Sequence, residues 1–213
     1  KRQFEQCRRF VRALGVMELG SPRYEADDLI GTLVEHGRRQ GRPSTIITRD
    51  KDLTQLLGKE DIFWDFAGKG KLGYDDIPSS FGVWPEQIAD FLALAGDAVD
   101  NIKGVPGVGR KTAEKLLEHF GSLEEIYENL HRVHEVNVRG AKTLAAKLDT
   151  HRDAAMLARQ LTGIACDAPI DEAETLMQPA APKLGEIHAL FDETGVGTAL
   201  RRQAERVSDI YRH

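Results

Sequence analysis

Seven acidic side chains, in three groups, are the residues whose types and spacing could do chemistry. Each group lies at the predicted boundary of a helix or strand, where a side chain can point into a shared cleft. Carboxylates two residues apart face the same way on an extended segment, and carboxylates three apart superpose on a helical turn. If the groups converge, their repulsion favours protonation or cation binding, and oxygen-only ligands favour Mg²⁺ or Mn²⁺ over zinc. The three groups are Glu25/Asp27/Asp28, Asp50/Asp52 and Asp97/Asp100.

Two such ions, about 3.5–4 Å apart, would activate a water and stabilise the leaving oxygen of a phosphodiester. The alternative for each acid is an ordinary helix cap or turn, in which aspartate is common. We assign Asp61, Asp75 and Asp76 to that structural class.

A glycine-rich hairpin, Gly104–Gly109, follows the last acidic group directly. Such a hairpin leaves backbone N–H groups unpaired at a helix N-terminus, and these groups can bind a phosphate. An ordinary turn followed by a helix cap is the alternative, because short glycine motifs also occur there. Basic side chains outnumber the single acid, Glu114, between Ile102 and Leu117; they are Lys103, Arg110, Lys111 and Lys115.

Composition bounds the class of protein. The chain has 213 residues with 41% hydrophobic content, which suits one large domain or two modest ones. The formal net charge of −5 is low for a nucleic-acid-binding protein, although acids around a metal site would account for part of it. Cys7 and Cys166 are isolated, and we find no signal peptide or membrane-spanning run. We therefore expect a cytoplasmic, nucleoid-associated protein.

The predicted secondary structure that must position these residues changes from mixed α/β to helical along the chain. We predict an α/β part over residues 1–84 and an almost entirely helical part over residues 85–213. The clearest strand is Ser44–Thr48, which delivers Asp50 and Asp52 at its C-terminal end, where open α/β sheets carry their sites. The other expected elements are a helix over 4–14, a short strand over 16–18, a helix over 25–39, a short helix over 53–57, a β-hairpin over 62–74, helices over 75–81, 86–95, 110–120, 123–130, 143–161 and 198–211, and a loop over 167–183.

Three segments together resemble a known family: YEADD at 24–28, TRDKDLTQLL at 48–57 and LAGDAVDNIKGVPGVGRKTAEKLL at 94–117. Their order and spacing are similar to those of the bacterial and phage 5′-nucleases, that is, the flap endonucleases and the 5′→3′ exonuclease domain of DNA polymerase I. The resemblance is strongest from Gly15 to Leu130, and Leu190–Arg202 resembles the closing segment of these domains. It implies a PIN-like, mostly parallel sheet core and a helix–three-turn–helix DNA-binding region.

The resemblance also implies roles for the acids in two-metal hydrolysis of DNA. Asp27 and Asp28, with Glu25 beside them, would help to hold the first ion and bridge to the second. The second ion would bind Asp50, Asp52 and Asp97, with Asp100 beside them.

The hairpin of such a protein binds the duplex backbone, often with a K⁺ ion at its turn carbonyls. The expected partner is branched or nicked double-stranded DNA with a 5′ end or flap, bound by a monomer. The DNA-binding residues implied are Lys103, Gly107, Val108, Gly109, Arg110, Lys111, Thr112 and Lys115.

The sequence departs from the family pattern at its front. The family's first strand carries an aspartate ligand, a later strand carries another, and a basic helical arch threads the 5′ end. We identify none of these in the chain, and the predicted sheet is small. We therefore expect a fragment that begins just after the arch. Two alternatives stay open, a non-catalytic helix–hairpin–helix DNA-binding module and an RNA-cleaving relative on a similar fold.

Overall fold

The computed structural model describes residues 2–68, 70–171 and 179–211. By its internal contacts the chain divides into two compact units, Lys1–Leu29 with Pro169–His213, and Ile30–Ala168. Within the described ranges, the helices are too short or too polar to cross a membrane.

The first unit is built from helices. Helix α1 (Arg2–Ala13) contacts helix α9 (Leu184–Thr194) through the rings of Phe10 and Phe191, whose centroids are 5.3 Å apart. Ala13, Ile187 and Phe191 lie in its buried apolar core. The helices are α1 Arg2–Ala13, α9 Leu184–Thr194 and α10 Thr198–Ile210, together with the first turn of α2 Ala26–Arg39.

Two predictions for this unit need correction. The strand expected over 16–18 is wrong, because that segment is irregular and the Glu18 carboxylate is held by Arg8 and Arg12 of α1. Helix α9 was not predicted. Of the loop predicted over 167–183, residues 172–178 lie outside the described residues, and the described remainder is irregular.

The second unit contains a three-stranded sheet. Strand β1 Thr45–Ile47 runs parallel to β2 Ile62–Asp65, and β2 pairs with β3 Gly70–Gly73 in antiparallel register. Ile46 and Phe63 are cross-strand neighbours on the buried face. The predicted strand and the predicted β-hairpin are both confirmed, and so is the fold class of an α/β core followed by helices.

Asp61 fixes the start of this sheet. Its side chain is almost fully buried, and its oxygens accept hydrogen bonds from the N–H groups of Ser44 at 2.7 Å and Gly58 at 2.8 Å. The Arg38 guanidinium of α2 donates a further bond at 2.6 Å. Asp61 therefore has the structural role that the sequence analysis assigned to it.

The remainder of this unit is helical. The face of α5 (Arg110–Phe120) predicted from spacing is confirmed, because Ala113, Leu116, Leu117 and Phe120 are all buried. Buried Asp90 of α4 (Ile88–Ala95) pairs with Arg159 of α8 (Arg152–Thr162). It also accepts the Leu123 N–H of α6 (Leu123–Glu128) at 2.9 Å, so it ties three helices together. The helices are α3 Ile77–Phe81, α4 Ile88–Ala95, α5 Arg110–Phe120, α6 Leu123–Glu128, α7 Ala141–Thr150 and α8 Arg152–Thr162, with 3₁₀ segments at Asp52–Leu56, Tyr74–Asp76, Pro85–Gln87 and Leu130–Glu135.

Candidate metal centre and nucleic-acid interface

Three of the predicted acids come together in the second unit. Asp52, Asp97 and Asp100 each offer one carboxylate oxygen, and these oxygens lie within 4.8 Å of one another. Asp52 opens the 3₁₀ segment that follows β1, whereas the other two lie in the loop after α4. We call these three residues the carboxylate group. Its oxygen-only donor set suits a hard divalent cation such as Mg²⁺ or Mn²⁺.

The loop Asp97–Ile102, called here the metal loop, is closed by its own backbone. The N–H of Asp97 donates to the Ile102 carbonyl at 2.9 Å, and the N–H of Ile102 donates back at 2.8 Å. A carboxylate oxygen of Asp97 also accepts the Val99 N–H at 2.8 Å. Asn101 has φ +56°, a left-handed conformation that asparagine tolerates better than most residues. This closed turn presents Asp97 and Asp100 toward Asp52.

Asp50 lies next to the carboxylate group and outside it. One of its oxygens accepts the Asp52 N–H at 3.1 Å, and its own N–H donates to Thr48 Oγ1 at 3.0 Å. Asp50 therefore shapes the turn at the end of β1 that carries Asp52. Its predicted role as a metal ligand stays a prediction.

Asp27 and Asp28 lie in the first turn of α2, where acidic side chains favour the positive end of the helix dipole. The Glu25 N–H donates to an Asp28 oxygen at 3.1 Å. These three acids belong to the first unit. Their convergence with the carboxylate group stays a prediction.

The metal loop is joined to the hairpin Gly104–Gly109 by a contact between two glycine backbones. A Cβ added at Gly104 would lie 2.3 Å from the Gly96 nitrogen, and one added at Gly96 would lie 2.7 Å from the Gly104 nitrogen. Gly96 also has φ +83°, which favours glycine. The Val105 N–H donates to the Leu94 carbonyl at 2.9 Å and holds the two segments together.

The hairpin presents backbone amides at the start of α5. Val105 and Val108 are buried, and the Val108 N–H closes the turn onto the Val105 carbonyl at 2.9 Å. Gly109 is the N-cap residue and has no side chain to accept from the first helical turn. In the part of the chain that the structure describes, the N–H groups of Arg110 and Lys111 donate no hydrogen bond. Free amides at a helix N-terminus suit a phosphate group.

The predicted basic residues around the hairpin are exposed, and most have a neighbouring partner. The Arg110 guanidinium lies 4.6 Å from the centroid of the Phe91 ring. Lys111 is 97% exposed with its ammonium 3.8 Å from a Glu114 oxygen. The remaining DNA-binding candidates are placed as follows: Lys103, Gly107 and Gly109 are exposed, Val108 is buried, Thr112 is half-buried, and Lys115 is exposed.

Lys115 forms an ion pair with Glu118 at 2.6 Å. The hydrogen bond to Glu118 raises the pKa of the Lys115 ammonium and lowers the pKa of the Glu118 carboxyl. A phosphate that binds Lys115 must therefore compete with this carboxylate.

Sequence reasoning did not select Gly96 or Asn101, which shape the metal loop. The signal was an asparagine directly after Asp100 and a glycine directly before Asp97, since both types tolerate positive φ.

Comparisons with known proteins agree with this architecture. A family model described as the 5′-3′ exonuclease N-terminal resolvase-like domain matches residues 1–77, and one described as the 5′-3′ exonuclease C-terminal SAM fold matches residues 83–184. The chain is 43% identical to DNA polymerase I of Pseudomonas aeruginosa over 90% of its own length and 21% of that protein. It is 34% identical to the 5′-3′ exonuclease of Buchnera aphidicola subsp. Acyrthosiphon pisum over 79% of its own length and 59% of that protein.

Solved structures share the fold at low sequence identity. A T5 5′-exonuclease with bound zinc matches at TM-score 0.56 and 18% identity, covering 87% of this chain and 60% of that one. The catalytic core of Rad2 in complex with DNA substrate matches at TM-score 0.62 and 16% identity, covering 97% of this chain and 68% of that one.

Along this chain, an α/β core that carries the carboxylate group is followed by a helical region that begins at an amide-rich hairpin. The chain belongs to the 5′-3′ exonuclease family, whose N-terminal and C-terminal domain models match it in succession. It spans about a fifth of the DNA polymerase I relative and over half of the Buchnera exonuclease.

Proposed function

We propose that this chain is the metal-binding and duplex-binding part of a structure-specific 5′-nuclease that hydrolyses DNA phosphodiesters. The observation that carries the proposal is the carboxylate group, whose oxygens lie within 4.8 Å of one another. Asp97 and Asp100 lie on the metal loop, and the glycine directly before that loop is in backbone contact with the hairpin. A cation site beside a turn with free amides suits an enzyme that must place one phosphodiester beside a metal.

Asp52, Asp97 and Asp100 would hold one divalent cation, Mg²⁺ or Mn²⁺, and Asp50 supports the turn that carries Asp52. Glu25, Asp27 and Asp28 would contribute to a second site. When bound, such ions supply charge neutralisation at the phosphate and a water of lowered pKa. Without a cation, three carboxylates this close would repel both one another and the approaching phosphodiester.

The DNA duplex would bind by its backbone at the hairpin. The free amides of Arg110 and Lys111 would take phosphate oxygens, and Lys103, Lys111 and Lys115 would add positive charge. Phosphate contacts fix orientation without reading sequence, so recognition would depend on the form of the DNA. We propose a nicked or branched duplex with a 5′ end or flap as the partner, a monomeric protein, and K⁺ at the hairpin carbonyls.

The test measures Mn²⁺ binding by electron paramagnetic resonance and cleavage of a labelled 5′-flap duplex. Asp97→Asn removes one charge from the carboxylate group, and we expect it to lower Mn²⁺ affinity at least about tenfold and, in the full-length nuclease, to abolish most cleavage while duplex binding is kept. Exposed Asp75, which lies outside the group, provides the matched control Asp75→Asn with no effect. Equal Mn²⁺ affinity in Asp97→Asn and the wild type would remove the carboxylate group from the mechanism and leave a DNA-binding module.

A further inference from the structure

The three selected cations that lie on α5 are engaged by their neighbours. Lys111 lies 3.8 Å from Glu114, and Lys115 lies 2.6 Å from Glu118. Arg110 lies over an aromatic ring of α4. A phosphate at the hairpin would meet less free positive charge from α5 than the sequence suggests.

A different helix brings an unpaired cation to the hairpin. The Lys147 side chain of α7 lies over Gly107, where an added Cβ would be 3.0 Å from the ammonium nitrogen and 3.8 Å from Cδ. Lys147 is exposed, and across residues 2–68, 70–171 and 179–211 no carboxylate pairs with it. The neighbouring Leu144 and Leu148 are buried, so the rotation of α7 about its axis is fixed and Lys147 is kept at the edge of the packed face.

Gly107 explains why the ammonium can come this close. Its φ of +84° favours glycine, and the missing side chain leaves the space over the turn to the Lys147 stem. The turn and the ammonium thus form one surface, with backbone amides supplied by the hairpin and a full positive charge supplied by α7.

We propose that Lys147 is a further phosphate-binding residue, whose ammonium binds a phosphodiester of the DNA duplex backbone beside the hairpin. This inference rests on the proposed function, because it assumes that the hairpin binds duplex DNA. A lysine ammonium has three donors and acts as a point charge toward phosphate, so the contact carries no sequence preference.

The effect of removing one phosphate contact follows from counterion release. Each contact contributes about 0.9 to the slope of log Kd against log salt, so its loss weakens binding about eightfold at 0.1 M salt and little at 1 M. Lys147→Ala should therefore reduce both the affinity and the slope. Lys147→Arg, which keeps the charge and most of the length, should restore both.

The experiment titrates the whole chain into a fluorescein-labelled blunt duplex in EDTA, with anisotropy read at several KCl concentrations. Lys59→Ala is the matched control, since it removes the same charge from an exposed lysine in the loop before β2. Circular dichroism melting verifies that each variant is folded. We expect about an eightfold rise in Kd at 0.1 M salt for Lys147→Ala and wild-type behaviour for Lys147→Arg.

Three results would overturn the inference. An unchanged Kd and slope in Lys147→Ala would show that the ammonium makes no phosphate contact. Equal losses in Lys147→Ala and Lys59→Ala would reduce the effect to bulk charge, and equal losses in Lys147→Ala and Lys147→Arg would indicate a packing role. If the wild-type chain itself fails to bind the duplex with salt dependence, the proposed function fails as well, so the two failures are distinguishable.

Discussion

Gly109 offers a substitution that should raise the free energy of unfolding and lower the affinity for duplex DNA. Because the two effects have opposite signs, phosphate binding at the start of α5 can be tested apart from helix stability. It is the N-cap of α5 with φ −94° and ψ 174°, an extended conformation open to any residue. A Cβ added there would meet nothing within 4 Å. Gly109→Asp therefore introduces a carboxylate at the start of α5 without steric strain.

The magnitudes follow from the position. An aspartate N-cap exceeds glycine by a few tenths of a kcal/mol, and its charge at the helix N-terminus adds about 0.3–1 kcal/mol. The free energy of unfolding should rise by roughly 0.5–1 kcal/mol. Duplex affinity should fall at least about eightfold at 0.1 M salt, because the new charge opposes one phosphate contact and the carboxylate occupies amides that the phosphate needs.

Urea unfolding and anisotropy titration on the same preparations measure the two effects. Gly109→Ala is the control, since it adds a Cβ without a cap or charge and should keep duplex affinity. Wild-type affinity in Gly109→Asp, with the expected gain in stability, would refute phosphate binding at this helix start.

Three further predictions concern stability. Gly104→Ala should lower the free energy of unfolding by about 1–3 kcal/mol in urea, because the new Cβ would lie within 2.5 Å of three backbone atoms. The control Gly185→Ala, which has open space around it, should leave that free energy unchanged or raise it. Tyr127→Phe removes a buried hydroxyl that has no hydrogen-bond partner in the described part of the chain, so stability at pH 7 should be unchanged or higher. Burial raises the pKa of Tyr127 from 10.0 to about 12, so the wild type loses stability between pH 10 and 12, where this tyrosine ionises first in the unfolded chain, and the variant lacks that loss. Ultraviolet titration of the variant should lack this late-titrating tyrosine, and an unchanged alkaline titration would contradict the assignment. Arg159→Met leaves the Asp90 carboxylate buried without its charged partner and should cost roughly 3 kcal/mol by thermal unfolding, and a loss under 1 kcal/mol would show that the pair is dispensable.

Local patterns predicted the elements of this chain better than the contacts between them. The apolar spacing of α5 identified its buried face, and the β-branched run before Asp50 identified β1. Helix α9 was missed, although Ile187, Leu190 and Phe191 carry helical spacing, because the proline-rich stretch before it favoured an irregular interpretation of the region.

The candidate site shows the same limit. Asp52 and Asp97 were each predicted from their positions at element boundaries. The short distance between their carboxylates depends on how the segment after β1 packs against the loop after α4, and residue spacing along the chain does not predict that packing. Lys147 was not selected, since it lies far along the chain from the hairpin it covers. Side chains on separate elements become neighbours only through packing. Sequence patterns therefore identify residues that could bind a metal more readily than they identify which of these residues bind it together.

The contact between Gly96 and Gly104 also bears on the proposed function. With no side chain between the two backbones, the segment that leads into the metal loop and the hairpin lie in direct main-chain contact. If the carboxylate group binds a cation and the hairpin binds a phosphate, as we propose, this contact fixes the spacing between the two sites, and a larger residue at either glycine would shift the position of cleavage along the strand as well as slow it.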